Sequence, residues 1–395
     1  MSVRPTSTSR RTGAVVLGGD YQGLGIVRSL GRRGIPVCVL DDEHSIAGHS
    51  RFVTYKDQAP TLREPEDLVA ALHELARKRD VQDWVLFPTR DEQVAALALH
   101  ACELRKTYRL TTPGWASIQH IWDKRNTYRM AEKLGIPIPR TYYPSSADDL
   151  AQVDRFPVAV KPAIKEHFVY ATKEKAWRAD NPTQLLELYE RACKYLPANE
   201  VMIQDFVPGD GTCQYAYCAF FKGGAAVASL VACRRRQHPL EFGRASTYVE
   251  TIDLPLLEEY SLRFLREINY YGLVELEFKR DARDGEFRLL DVNGRTWGYH
   301  TIGEAAGVDF PSLLFADQME QPVETRRGNA GVRWIRLLTD LPTGVMGVLS
   351  GQLKLGAYLR TLREYHQEAV FSLEDPWPGI VEIALLPYLL VKRGF

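Results

Sequence analysis

Several signatures that would settle a protein's class at once are missing from this chain. Its six cysteines (38, 102, 193, 213, 218 and 233) form no CxxC pair. That argues against a structural zinc site or a disulfide framework and suits a reducing compartment. Net charge is also missing, because 50 Lys and Arg balance 50 Asp and Glu. No overall field is therefore expected to recruit nucleic acid or an anionic membrane. No run reaches the roughly 20 apolar residues of a membrane-spanning helix. The nearest, IVEIALLPYLLV (380–391), is broken by Glu382 and Pro387. It reads as a buried terminal element, with a peripheral membrane or partner contact as the other reading. The start, MSVRPTSTSRRTG, lacks the apolar core of a signal peptide. There is no GxxxxGK[ST] phosphate loop, no internal repeat and no low-complexity tract beyond the first dozen residues. Nor is there a Ser/His/Asp or Cys/His constellation to carry covalent catalysis.

What is present is ordinary in bulk: 395 residues, 45% hydrophobic and 25% charged, enough for two or three packed units. GAVVL (13–17), GGDYQGLG leading into IVRSLGRRG, and IPVCVLDD (35–42) predict a strand, a helix and a second buried strand. ALHELARKRD and DWVLFPTRDE (83–92) repeat the pattern, so the first 112 residues are expected to form a small doubly wound α/β unit. LGGDYQGLG holds GxxxGxG rather than GxGxxG, with Asp41 or Asp42 about 20 residues on. A plain strand-to-helix turn and a ligand-binding turn both stay open.

Further along, IWDKRNTYRMAEKLGIPIPRTYYP (121–144) predicts a helix stopped by Gly135 and the prolines. FPVAVKPA (156–163) predicts a strand, followed by a charged loop, AIKEHFVYATKEKAW (163–177). A helix over 184–196, a strand in VMIQDFVPGDG (201–211), a strand pair turning at Gly223-Gly224 and a helix over 255–270 come next. A mostly helical region closes the chain.

The chemistry gathers in three places. GLVELEF (272–278) and FRLLDVNGRTWG (287–298) alternate apolar and oxygen-bearing residues, and Asp284-Gly285 between them signals a hairpin. Folded back, it would bring Glu277, Asp291 and Asn293 together as hard donors for magnesium; an exposed polar face is the alternative. Lys161 lies inside the apolar strand VAVKP, where burial is costly unless an anion compensates it; a surface-facing edge strand is the other reading. Asp123-Lys124-Arg125 heads a helix.

In their order and spacing these segments resemble the ATP-grasp superfamily of carboxylate–amine (or carboxylate–thiol) ligases. DKRNTYRMAEKLGIPIP is similar to its DK…LGIPxP helix, and FPVAVKPA to its lysine strand. VMIQDFVPGD is similar to its hinge strand, and GLVELEFKRD…GEFRLLDVNGR to its metal-binding hairpin. The resemblance spans about 1–325. It implies a mixed α/β and α+β chain in three parts. These are a Rossmann-like pre-ATP-grasp domain (1–112), an ATP-grasp domain (113–325, divided at 207 into a lid part and a metal-binding part) and a helical extension (326–395).

The resemblance also implies roles. Lys124 and Lys161 would grip ATP phosphates, Gln204, Asp205, Phe206 and Val207 would form the adenine hinge, and Asp210 would hold the ribose. Glu277, Asp291 and Asn293 would bind Mg²⁺ or Mn²⁺, and Arg295 would face the γ-phosphate or an acyl phosphate. Two departures stand out. The loop after Lys161 lacks glycine; Lys173, with Lys165, His167 and Lys175, would supply by charge what backbone amides usually supply, and a solvated face is the other reading. The acidic motif reads DVN where Glu is usual, which shortens the ligand's reach. Glu275 is a poorer ligand candidate than Glu277, which directly precedes the phenylalanine.

CRRRQHPLEFGRASTYVET (233–251) gathers Arg234, Arg235, Arg236 and Arg244, and is similar to a segment in predicted ATP-dependent carboligases. The cluster would orient a substrate carboxylate or the acyl phosphate, with Arg236 as the catalytic candidate beside Lys161 and Arg295, and a plain charged strand end is the other reading. GGDYQGLG, PTRDE (88–92), Trp297 and His300 are candidates for contacting the second substrate. The expected reaction joins a small-molecule carboxylate to an amine through an acyl phosphate, releasing ADP and phosphate. Carboxylation with bicarbonate, or a silent nucleotide-binding protein, are the alternatives. A cytoplasmic protein is expected, often a homodimer in this superfamily.

Overall fold

A computed structural model describes residues 11–209, 211–238 and 245–388 of the chain. Strands β1 (Ala14–Leu17), β2 (Val37–Asp41), β3 (Tyr55–Gln58), β4 (Trp84–Pro88) and β5 (Tyr108–Leu110) form a parallel sheet in the order β3-β2-β1-β4-β5. β1, β2 and β4 are buried along their whole length, as strands covered on both faces must be. The helix after β1 begins at Tyr21, so Gly23 and Gly25 are helical. Their missing side chains allow close packing: a Cβ on Gly25 would lie 2.5 Å from His300 Nε2. Asp41 accepts a hydrogen bond from Gly19 N at 2.7 Å, and Arg90 pairs with Asp41 at 3.1 Å and Asp42 at 2.8 Å. The acids ending β2 thus brace the turn.

Strands β6 (Thr141–Tyr142), β7 (Val158–Pro162), β8 (Trp177–Ala179) and β9 (Val201–Asp205) form an antiparallel sheet in the order β6-β9-β7-β8. β7 is therefore an interior strand, which removes the edge-strand reading of Lys161. The segment expected as a loop is largely helical, from Lys165 to Thr172. It contains neither glycine nor proline, and it anchors Phe168 under Trp177 with ring centroids 4.7 Å apart.

Strands β10 (Gln214–Lys222), β11 (Ala225–His238), β12 (Ala245–Ile252), β13 (Gly272–Arg280), β14 (Phe287–Asn293), β15 (Arg326–Arg327), β16 (Arg333–Ile335) and β17 (Gln367–Glu368) build the largest sheet. Its order is β14-β13-β10-β11-β12-β16-β17, with β15 beside β11. Gly223 and Gly224 turn β10 into β11, both with positive φ (59° and 80°). The region beyond 325 is thus not only helical, since three of its segments join this sheet. Its helices are Leu337–Leu349, Leu355–Glu364 and Trp377–Ala384. In the last of these, Glu382 is buried against Arg336 at 2.7 Å, whereas Trp377, Ile380 and Ile383 are exposed. The expectation of a buried apolar element is thus corrected there; residues 389–391 of that run lie outside the described residues. No helix among the described residues is long and apolar enough to cross a membrane.

Candidate active site

The hairpin of β13 and β14 sets the geometry. Glu275 stands opposite Asn293 and Glu277 opposite Asp291, and the register then slips so that Phe278 faces Leu289. Directly opposed side chains share a face, so all four oxygen-bearing groups point the same way. On the other side of β13, Cys218 and Ala216 of β10 stand opposite Glu275 and Glu277; their small side chains leave that face open. Asn293 Nδ2 donates to Glu277 at 2.8 Å and to Glu275 at 3.1 Å. Glu275 also accepts from the Tyr299 hydroxyl at 2.6 Å. Burial and the neighbouring Glu277 push Glu275 up to about 7. It forms the back of the site and Glu277 the front.

The cations arrive from other elements. Lys124 opens the helix Lys124–Lys133, whose N-terminus is capped by Asp123 at 2.9 Å from Arg125 N. Its ammonium is bonded to the Asp291 carboxylate. Burial disfavours both charges, but the pairing wins: Lys124 is raised and Asp291 lowered from their ordinary values. One helical turn on, the Tyr128 hydroxyl accepts from Lys161 Nζ at 2.7 Å and donates to the Leu290 carbonyl at 2.8 Å. Lys161 also donates to Gln204 Oε1 at 2.9 Å. One helix therefore links the lysine of β7 to the acidic hairpin. Sequence reasoning passed over Tyr128; its signal was the four-residue spacing from Lys124, which puts both on one helix face.

Arg295 faces the same cleft, with Nε 2.7 Å from Asp91 Oδ1 and Nη2 3.3 Å from Asn293 Oδ1. Lys165 Nζ is 2.5 Å from the other Asp91 oxygen. Burial opposes ionisation of Asp91, yet Arg295 and Lys165 hold it well below the usual carboxylate range. Asp91 belongs to the PTRDE segment, so the first sheet contributes directly to the cleft. Lys124, Lys165, Glu166, Asp91, Asp291 and Asn293 line about 380 Å³ of space, part of it open to solvent, with Ile118, Ile121 and Trp122 as an apolar wall.

Lys173 is an exposed helix cap with φ 61°. Lys175 is exposed, with Glu277, Lys165, Arg234 and Asp291 as its charged neighbours. Loss of bulk water pushes its ammonium down to about 8, against the pull of Glu277. At the end of β9, Asp205 N and Phe206 N donate to the carbonyls of Arg140 (2.8 Å) and Pro157 (3.1 Å). Phe206 presents its ring to Arg178 and Lys279, 5.1 and 5.3 Å from the centroid, and Val207 is buried. Asp210 and Arg244 lie outside the described residues.

Two expectations are corrected. Arg236 does not reach the acidic face. It pairs with buried Asp340 at 2.9 Å, bonds Thr361 at 3.0 Å and lies between the rings of Tyr248 and Tyr358. The register of β11 slips at Arg234/Arg236. Arg234 keeps the facing of Ala232, and its Nη2 is 3.4 Å from Glu277. Trp297 and His300 do not line the cleft either. Both are buried, Trp297 against Phe310 with centroids 4.8 Å apart. Burial keeps His300 neutral, pushing it down to about 4.

Two opposed carboxylates beside an amide, with Lys124 and Arg234 close by, fit a magnesium ion that shares its shell with phosphates. Such an ion uses only one or two protein carboxylates. Among the described residues no group of three or more His, Cys, Asp or Glu side chains could hold a metal alone.

No protein-family model matches the chain. It is 23% identical over 357 residues to a D-aspartate ligase of Enterococcus faecium (strain Aus0004), which spans 83% of this chain and 82% of that protein. The fold matches an L-amino acid ligase from Bacillus licheniformis with a TM-score of 0.62 at 15% identity, over 80% of this chain and 76% of that one. It matches an N5-carboxyaminoimidazole synthetase from Staphylococcus aureus with a TM-score of 0.61 at 14% identity, over 80% of each chain. The biotin carboxylase domain of the Hydrogenobacter thermophilus 2-oxoglutarate carboxylase, a dimer in complex with MgADP, ADP and bicarbonate, gives a TM-score of 0.65 at 14% identity. That match covers 82% of this chain and 74% of the neighbour. The chain thus shares the fold of these ligases and carboxylases and is similar in sequence to a D-aspartate ligase, with the lysine of β7 linked through Tyr128 to the acidic hairpin.

Proposed function

We propose that the protein is an ATP-dependent carboxylate–amine ligase. Lys124 and Lys161 hold the phosphates of ATP as point charges. Glu277 and Asp291 would hold Mg²⁺ or Mn²⁺, with Asn293 as a neutral donor beside them. When bound, such an ion would supply charge neutralisation to the phosphates. Gln204, Asp205, Phe206, Val207 and Asp210 receive the nucleoside. Arg295, Lys165 and Arg234 stabilise charge on the transferring phosphoryl group, and Lys173 serves at the rim.

The reaction needs no protein nucleophile. A substrate carboxylate oxygen attacks the γ-phosphorus, the bond to ADP breaks, and an acyl phosphate forms. The free amine then attacks the acyl carbon and inorganic phosphate leaves, carrying the former carboxylate oxygen. The protein's contribution is positioning and charge compensation in a partly desolvated cleft. The observation that carries this reading is the link from Lys161 through Tyr128 to the acidic hairpin, with Lys124 on Asp291 beside it. Similarity to a D-aspartate ligase over 83% of the chain favours amide formation over carboxylation.

The further parts of the proposal are a division at 112 and 325, a cytoplasmic location and a homodimer like the Hydrogenobacter neighbour; light scattering tests the last. The activity is tested by measuring ADP release from Mg²⁺–ATP over a panel of acid and amine pairs. Release that requires both an acid and an amine supports the ligase. Release that requires bicarbonate instead identifies a carboxylase, and no release with any pair points to a silent nucleotide-binding protein.

A further inference from the structure

The helices Leu337–Leu349 and Leu355–Glu364 form a hairpin far in sequence from the cleft residues, and its outer surface is apolar. Leu341, Val345 and Leu349, spaced four apart on the first helix, are 44%, 50% and 82% exposed, and Met346 beside them is 49% exposed. On the second helix Leu355 and Leu359 are 57% and 50% exposed. The inner surface is well packed by contrast: Tyr358 is seated on Gly344 and donates to the Asp340 carbonyl at 3.3 Å. The hairpin is therefore anchored through one side, with large aliphatic side chains left in water on the other.

The charges on this surface are basic apart from Glu364 at the end of the second helix, which is paired with Arg333. Between 341 and 363 the sequence contains no Asp or Glu, while Lys354, Arg360 and Arg363 are all exposed. Arg363 continues the line of Leu355 and Leu359 at the same four-residue spacing. Lys354 sits between Leu349 and Leu355 at the turn, so the tip of the hairpin presents two leucines and an ammonium. The sequence after residue 388, LLVKRGF, has the same composition.

We propose that this helical hairpin is a peripheral docking surface for anionic lipid bilayers. Aliphatic side chains would enter the headgroup boundary while Lys354, Arg360 and Arg363 meet lipid phosphates. An exposure of 82% at Leu349 describes a side chain that protrudes, which suits a deformable bilayer better than a shaped protein groove. A second copy is disfavoured as the occupant, because pairing this surface with itself brings Lys354, Arg360 and Arg363 together, and the neighbouring acid, Glu364, is already paired with Arg333. The zero net charge of the whole chain does not oppose the proposal, since attraction within a Debye length of the membrane is set by local charge.

The test is flotation of the full-length protein with vesicles of phosphatidylcholine alone and of phosphatidylcholine mixed with phosphatidylglycerol. The mixed vesicles should retain the protein, and high salt should release it. Leu349→Ser/Leu355→Ser and Arg360→Glu/Arg363→Glu should each weaken retention about tenfold or more. Neither should alter thermal melting, because the changed side chains are exposed. Failure to float with mixed vesicles, or flotation that neither double variant reduces, overturns the proposal. So does a concentration-dependent dimer that Leu349→Ser/Leu355→Ser dissociates in the absence of vesicle binding.

Discussion

The Tyr128 hydroxyl donates to the Leu290 carbonyl across 162 positions of sequence, at 2.8 Å. Leu290 lies where the register of the acidic hairpin slips, so this bond fixes the backbone beside Asp291. The same oxygen accepts from Lys161. Tyr128→Phe removes both bonds from a fully buried side chain and should cost about 1–3 kcal/mol in chemical denaturation. ADP release should fall as well, because Lys161 and Asp291 lose their common brace. Unchanged stability and turnover would show the hydroxyl to be idle.

Lys161→Ala and Asp291→Asn should each abolish ATP-dependent product formation while leaving the circular dichroism spectrum unchanged. Near-normal turnover in either variant would remove that residue from the proposed site.

Arg234 and Arg236 should separate cleanly. Arg236 and Asp340 are both buried, and deleting one partner of a buried pair leaves the other uncompensated. Arg236→Ala should therefore cost about 3–5 kcal/mol of stability. Arg234→Ala should leave stability nearly intact and reduce turnover. The reverse pattern would restore Arg236 to the cleft.

His300 makes stability depend on pH in a predictable direction. The unfolded imidazole takes up a proton near 6.5, whereas burial holds the folded one neutral down to about 4. Between these values the unfolded chain binds more protons, so stability falls as pH drops through the window. The full loss from this group is about 3 kcal/mol, reached below pH 4. Above 6.5 it contributes nothing. Melting temperature against pH should be less steep over this window for His300→Asn, and an unchanged slope would contradict the assignment.

How much of this was legible in the sequence varied with the range of the interaction. The strands of the first sheet could be read because burial on both faces demands unbroken apolar runs such as GAVVL and WVLFP. The acidic hairpin could be read because a period of two fixes which residues share a face. The helix Lys165–Thr172 was missed, since a charged run without a clear apolar stripe reads as a loop until Phe168 is known to anchor it. Arg236 was chosen over Arg234 because a slip in strand register reverses which side a residue faces, and no local pattern marks it. Asp91 illustrates a third limit. PTRDE could be named as a contact segment, but its pairing with Arg295 depends on how separate sheets meet.

The account depends most on one triphosphate being held by Lys124, Lys161 and the hairpin acids together. The direct measurement is a crystal structure with Mg²⁺ and a non-hydrolysable ATP analogue. The account predicts phosphate oxygens within hydrogen-bond distance of both ammonium groups, and the metal bound by Glu277 and Asp291. A nucleotide lying elsewhere, or phosphates touching neither lysine, would contradict it.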